Sequence, residues 1–168
     1  MVTSTINYTA AATITISPAS LASSATFVAG REATAISNSS NLFVDALLSG
    51  AITVGTTPTI NTQIEVWVIA ALNETPTWPD VMDGTDSAET WTSVGVRNGA
   101  ARRIAVLDVD ATTSNVAHEF SGISIAEAFG GTMPDDWTIW VTHNTGVALN
   151  ATGGNHSMEY IGIKYDSA

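Results

Sequence analysis

Two stretches near the C-terminal end govern how this chain is read: Asp136–Asn144, DWTIWVTHN, and His156–Tyr165, HSMEYIGIKY. In the first, Trp137, Ile139, Val141 and His143 fall at every second position, with Thr138, Trp140 and Thr142 between them. In the second, Met158, Tyr160 and Gly162 alternate with Glu159, Ile161 and Ile163. Side chains on a strand repeat every two residues, so each stretch separates into two faces of a sheet. The arms read as a pair of strands joined by the turn-rich connector between them. They point to a two-layer all-β domain whose work is to present surfaces.

The same alternation recurs toward the N-terminus. Thr62–Ala71 is the strongest internal strand, with Ile64, Val66, Val68 and Ala70 on one face and Gln63, Glu65, Trp67 and Ile69 on the other. Ala12–Ser17 reads as a strand stopped by Pro18. Ala25–Ala29, Arg31–Ser37, Ala51–Val54, Trp91–Val96, Arg103–Val109 and Asn115–Phe120 read as further strands, and Leu42–Leu48 is apolar enough for a strand buried on both faces. Gly50 and Gly55 bracket Ala51–Val54, and Ser124–Phe129 is a short helix candidate ended by Gly130–Gly131. Leu72–Glu89, LNETPTWPDVMDGTDSAE, is irregular; loops this long inside a compact domain tend to be functional or disordered. Trp78 and Met82 argue for packing there. Closely spaced strands with turn signals and no crossover helices predict an all-β fold: a single-domain, jelly-roll-like antiparallel β-sandwich. Residues 1–10 are polar and small and read as an N-terminal arm, mobile or docked on a partner; 11–168 form the sandwich.

The composition narrows the function. Charged residues are 12% of the 168, about half the roughly 25% of an average domain. The polar surface therefore rests largely on Thr, Ser, Asn and Gly, and 24 threonines suit a pleated sheet. Sixteen acids against five bases give a net charge of −11, which disfavours nucleic acid and anionic membranes and favours a basic partner surface or cations. With no cysteine there are no disulfides and no thiolate chemistry. The N-terminus shows no signal-peptide pattern, and no stretch approaches the length of a membrane span.

The densest candidate site is acidic. Asp80, Asp83, Asp86 and Glu89 recur at steps of three around Gly84, a candidate cation loop for an oxygen-seeking ion such as calcium, though the spacing is not that of an EF-hand. A solvated acidic loop is the plainer reading. Glu65 and Glu159 are carboxylates that a catalytic pair would need to bring together; solvent exposure is the expectation for both. His118, His143 and His156 lack ligand-type spacing and read as structural, with His143 and His156 flanking the final connector. No nucleophile elbow, phosphate loop or dinucleotide fingerprint occurs. Of the strand tryptophans Trp67, Trp137 and Trp140, two read as core and the third as exposed; Trp78 and Trp91 border the long loop. The expectation is therefore no enzyme, no cofactor and no metal.

Four segments carry a resemblance: SLASSATFVAGREATAISNSSNLFVDALLSGAITVG, TINTQIEVWVIAAL, WPDVMDGTDSAET and VTHNTGVALNATGGNHSMEYIGIKY. Together they resemble a family of small tailed-bacteriophage virion proteins, over most of the chain from about residue 19 onward. The resemblance implies a jelly-roll or sandwich fold that coats or cements an icosahedral shell, as a capsid decoration protein. The family has no catalytic motif, so it transfers no functional residue. The implied partners are the major capsid protein of the same virion and other copies of the chain, as a dimer or trimer, with neither nucleic acid nor membrane. The implied location is the capsid exterior after synthesis in the host cytoplasm. Contact is expected through Trp78, Met82 and Trp91 and through Val2, Ile6 and Tyr8 of the arm. The alternative is a tail-associated receptor- or glycan-binding module, in which an exposed tryptophan stacks on a sugar.

Overall fold

The computed structural model describes residues 4–73 and 75–167. The strands are β1 Ser4–Tyr8, β2 Ala12–Thr13, β3 Ala29–Glu32, β4 Ile36–Ser37, β5 Asp45–Thr53, β6 Thr62–Ala70, β7 Ala88–Thr90, β8 Ala101–Val109, β9 Ala117–Ser124, β10 Asp136–His143 and β11 Ser157–Ser167. Helix α1 is Val94–Ala100, α2 is Ile125–Ala128, and a single 3-10 turn covers Gly153–Asn155. One sheet runs β1-β11-β5-β9, with β2 also on β11; the other runs β7-β3-β10-β6-β8, with β4 also on β10.

This order is that of a jelly roll. With β1 and β2 counted as one edge position, the pairs β1–β11, β3–β10, β5–β9 and β6–β8 nest inside one another along the chain, and all are antiparallel. A long antiparallel ribbon has been folded over itself so that its pairs alternate between two layers. The sandwich expected from the alternation is therefore present, but β10 and β11 do not pair. They lie in different sheets, β10 between β3 and β6 and β11 between β1 and β5. Alternation fixes the faces of a strand and leaves its partner open.

Between the sheets lies the main core. β6 contributes Ile64, Val66 and Val68, β10 contributes Trp137, Ile139 and Val141, and the facing sheet adds Ala46, Leu48, Ile52 and Met158. Trp137 meets Tyr160 edge to face, with ring centroids 5.6 Å apart and planes at 79°. Gly162 faces inward opposite Ala46, where any Cβ would strike the Phe43 ring.

The second face of the β10 sheet is covered as well, by the chain between β6 and β8. This strap leaves β6 after Ala70, reaches across the sheet to pair as β7 with β3, then returns through α1 to β8. Beneath it Trp67, Ile69 and Trp140 pack with Met82, Trp91 and Ala101 in a separate apolar cluster. That is why every residue of β10 is buried. Helix α1 starts where the Ser93 hydroxyl accepts the N–H of Val96 at 3.2 Å. The expected strand Trp91–Val96 is therefore replaced: the cap turns the chain into a helix, while Trp91, its N–H bonded to the Val28 carbonyl, drops into the cluster.

Other segments differ from the reading in extent. Parts of Leu42–Leu48 and Ala51–Val54 form one strand, β5, which begins only at Asp45, is buried mainly on one face, and holds Gly50 at a register shift against β9; Leu42 is exposed at φ 55°. Phe27 sits at φ 55° in a turn, so the strand expected over Ala25–Ala29 begins only at Ala29. Arg31–Ser37 divides into β3 and β4, because the N–H groups of Thr34 and Ala35 leave β10 for the carbonyls of Thr15 and Gly84. The Ala12–Ser17 strand shortens to β2, yet Ile14 still enters the core, as its alternation requires.

Candidate functional site: an interaction surface

The strap is tied down by its own acids. Glu32, on the outward face of β3, is fully buried beneath it and accepts the N–H of Gly84 at 2.8 Å and that of Asp83 at 3.2 Å. Burial pushes its carboxyl up to about 7; the two N–H donors oppose that rise, and the nearby charges of Asp83 and Glu89 reinforce it. Asp86 accepts from Arg31 Nε at 2.6 Å and from the Ser17 hydroxyl at 2.6 Å. Burial raises the Asp86 carboxyl, but the bonds from Arg31 and Ser17 together outweigh it and hold the group below its ordinary value.

The candidate cation loop is thereby taken apart. Asp80 accepts the hydroxyl and the N–H of Thr92, Asp83 those of Thr85, and Glu89 the hydroxyl of Ser87. Each carboxylate is engaged by a hydroxyl, an N–H or a guanidinium of its own, and among the described residues no three His, Asp or Glu side chains form a metal-binding group. The loop spacing that suggested convergence instead distributes the acids along an extended strap.

The expected contact tryptophans need the same correction. Trp91 is 1% exposed and Met82 5%, so neither reaches a partner; both anchor the strap on Trp140, which meets Trp91 edge to face at 6.1 Å. Trp78 is half-buried against the same cluster, and its indole lies beside Gly84. Trp67, Trp137 and Trp140 are all buried, where one was expected to be exposed. The second layer of packing was invisible in a single strand's alternation.

Glu65 is also buried rather than solvated. It accepts from Trp67 Nε1 at 3.0 Å and from Arg103 at 2.7 Å, while Arg97 lies over the same indole ring with its guanidinium carbon 4.4 Å from the centroid. Glu159 is on the other sheet, exposed beside Glu119 in a shallow depression, so the two strand carboxylates do not converge. His143 is fully buried, bonded to the Thr145 hydroxyl and the Leu21 carbonyl, and burial pushes its pKa down. His156 bonds the Thr53 N–H and the Asn150 carbonyl. Both imidazoles hold connectors in place.

The exposed apolar surface lies elsewhere. The N-terminal arm is folded onto its own chain as the edge strand β1, Ile6 opposite Tyr165 and Tyr8 opposite Ile163. Ile6, Tyr8 and Tyr165 are 60%, 60% and 61% exposed. Val2 lies outside the described residues. Direct pairing puts Ile6, Tyr8, Ile163 and Tyr165 on one outer face, and Lys164 and Asp166, opposite Asn7 and Thr5, on the other. Tyr165 continues the Ile161, Ile163 alternation by one step, a signal already present in the sequence. Glu32 gave none: an acid within GREAT has no local mark of burial.

No family model, curated protein or solved structure matches this chain.

Proposed function

We propose that this chain is a structural protein of a tailed-bacteriophage virion that decorates the capsid exterior. It binds the major capsid protein as a homo-oligomer and stabilises the shell without catalysing a reaction. The observation that carries the reading is where the polar and apolar groups are spent. The acids of the strap are consumed within the fold, whereas Ile6, Tyr8 and Tyr165 stand together, exposed, at the β1 edge of the outer sheet face. Such a face suits contact with protein. The net charge of −11 suits a basic partner surface, and the four resembling segments supply the setting. The glycan-binding alternative has less support, since none of the five tryptophans is exposed to stack on a sugar.

The test is addition of the purified protein to expanded shells of the parent phage that lack it. Saturable co-sedimentation, density on the outer shell by cryo-electron microscopy and a higher shell-disruption temperature are expected. Absence of shell binding, or labelling of the tail in intact particles, overturns the reading.

A further inference from the structure

Among the described residues six strands pair on one side only: β1, β2 and β9 in one sheet and β4, β7 and β8 in the other, with β2 and β4 only two residues long. Exposed edges invite pairing with other chains, and proteins blunt them with charge, proline, bulges or shortness. Strand β9 carries His118 and Glu119, with Gly122 at φ 68° and a register shift against β5. Strand β8 carries Arg102, Arg103 and Asp108 and has its own register shift. Strand β7 is three residues long and includes Glu89. Strand β1, Ser-Thr-Ile-Asn-Tyr, has no charge, no proline and no glycine, and pairs with β11 in unbroken register.

The free groups of β1 can be assigned. The Thr9 N–H bonds the Gly162 carbonyl at 2.9 Å, and the pairing alternates residue by residue from there. Thr5 and Asn7 therefore face β11, while the backbone N–H and C=O groups of Ser4, Ile6 and Tyr8 point to the open edge. Their side chains are the ones on the apolar outer face.

We propose that this edge takes a second copy of the chain, β1 against β1 in antiparallel register about a two-fold axis through the Ile6 pair. Ile6 pairs with its symmetry mate, and Ser4 pairs with Tyr8 of the other copy. The free backbone groups of those three residues are thereby satisfied, and each sheet continues into its neighbour. Self-complementarity selects the occupant, since antiparallel pairing of β1 with itself satisfies the same three residues on both copies. A chain at −11 repels its own copies elsewhere, and the outer face formed by Ser4, Ile6, Tyr8, Ile163 and Tyr165 lets two copies meet without opposing charges. Area sets the strength. Ile6, Tyr8 and Tyr165 together expose roughly 400 Å², and edge-to-edge pairing covers only part of it, well below the ~800 Å² per partner of a standard stable interface. The dimer is accordingly weak and reversible, and many copies held close together would favour it. The inference deepens the oligomer named in the proposed function and rests on that reading for its setting, while its geometry is that of β1 and the neighbouring end of β11.

The chain has no cysteine, so an introduced one is unique. Directly opposed residues of a hydrogen-bonded pair lie about 5.5 Å apart at Cα, within disulfide range. Ile6→Cys is expected to oxidise nearly completely to a disulfide dimer at 50 μM. Ser4→Cys and Tyr8→Cys are expected to cross-link with each other when mixed but not alone. Val96→Cys, exposed on α1, serves as the collision control. Sedimentation of the wild type is expected to show a reversible dimer. Ile6→Lys, placing like charges on the axis, is expected to raise its dissociation constant roughly tenfold or more with an unchanged melting curve. A monomeric wild type at 100 μM, cross-linking of Ile6→Cys no faster than the control, or an unweakened Ile6→Lys dimer overturns the inference. Shell binding is measured separately, so a failed dimer and a failed decoration reading give different results.

Discussion

Replacing Glu32 with Gln tests how the strap is held to the sheet. The Glu32 side chain is fully buried and accepts two strap N–H groups, those of Gly84 and Asp83. Burial raises its carboxyl from 4.5 to about 7, so the native state binds this proton more tightly than the unfolded chain does. The stability that follows is fully present below the unfolded value of 4.5 and is lost as pH rises through about 7. At ~1.4 kcal/mol per pH unit, that window corresponds to at most ~3.5 kcal/mol. Glu32→Gln keeps the shape and removes the titration. Urea unfolding followed by tryptophan fluorescence at pH 5, 6, 7 and 8 reads the effect, because Trp91 and Trp140 sit under the strap. The stability of the wild type minus that of the variant is expected to fall by ~2–3 kcal/mol from pH 5 to pH 8. Proteolysis between 71 and 100 is expected to accelerate over the same range in the wild type only. A difference that stays flat across this range would refute the account of how Glu32 holds the strap.

Asp86 works with the opposite sign. Its carboxyl is held below the ordinary value of 3.8, so its contribution is present above that value and is lost as pH falls further; Asp86→Asn is expected to cost ~1–2 kcal/mol at pH 7 and much less near pH 2. A deficit that does not change with pH would contradict this. Trp140→Ala empties a fully buried site against Trp91 and is expected to cost ~3–5 kcal/mol by denaturant midpoint, with faster strap proteolysis; a loss under ~1 kcal/mol would mean the second cluster does not hold the strap. At Gly30 a Cβ would run into the Val141 carbonyl and the Trp140 ring, so Gly30→Ala is expected to lose ~1–3 kcal/mol, and an unshifted midpoint would refute the close approach. Because the strap acids are already engaged, chelator or added calcium is expected to leave the melting temperature unchanged, and a calcium-dependent rise of more than ~2 °C would restore the cation loop.

Local patterning carried the all-β class, the two faces of β6, β10 and β11, and the short helix at Ile125–Ala128, because side chains on a strand alternate between faces residue by residue, even where both faces are buried. It did not carry the partner of each strand. Trp137 and Met158 face the same core from opposite layers, and no feature of either segment distinguishes that from direct pairing. The second apolar layer was missed for a related reason. A strap returning from β6 to β8 buries Trp67 and Trp140 only after the chain has crossed the sheet, so Met82 and Trp91 looked free where they are anchors. Among the candidate contact residues, Ile6 and Tyr8 are exposed on the edge strand; Tyr165 was legible as the next step of the Ile161, Ile163 alternation, and the β1–β11 register sets it beside Ile6.

The nesting of the strand pairs also bears on how the fold assembles. The innermost pair, β6 with β8, closes only after the intervening strap is accommodated, and each outer pair joins more distant segments. The bond from Asn7 to Asp166 spans 159 positions. Topologies dominated by such distant pairings fold slowly. During synthesis β1 is made long before β11, and for that whole interval both of its sides lack a partner within the chain. An uncharged strand held in that condition is the segment of this protein most exposed to premature association on crowded ribosomes.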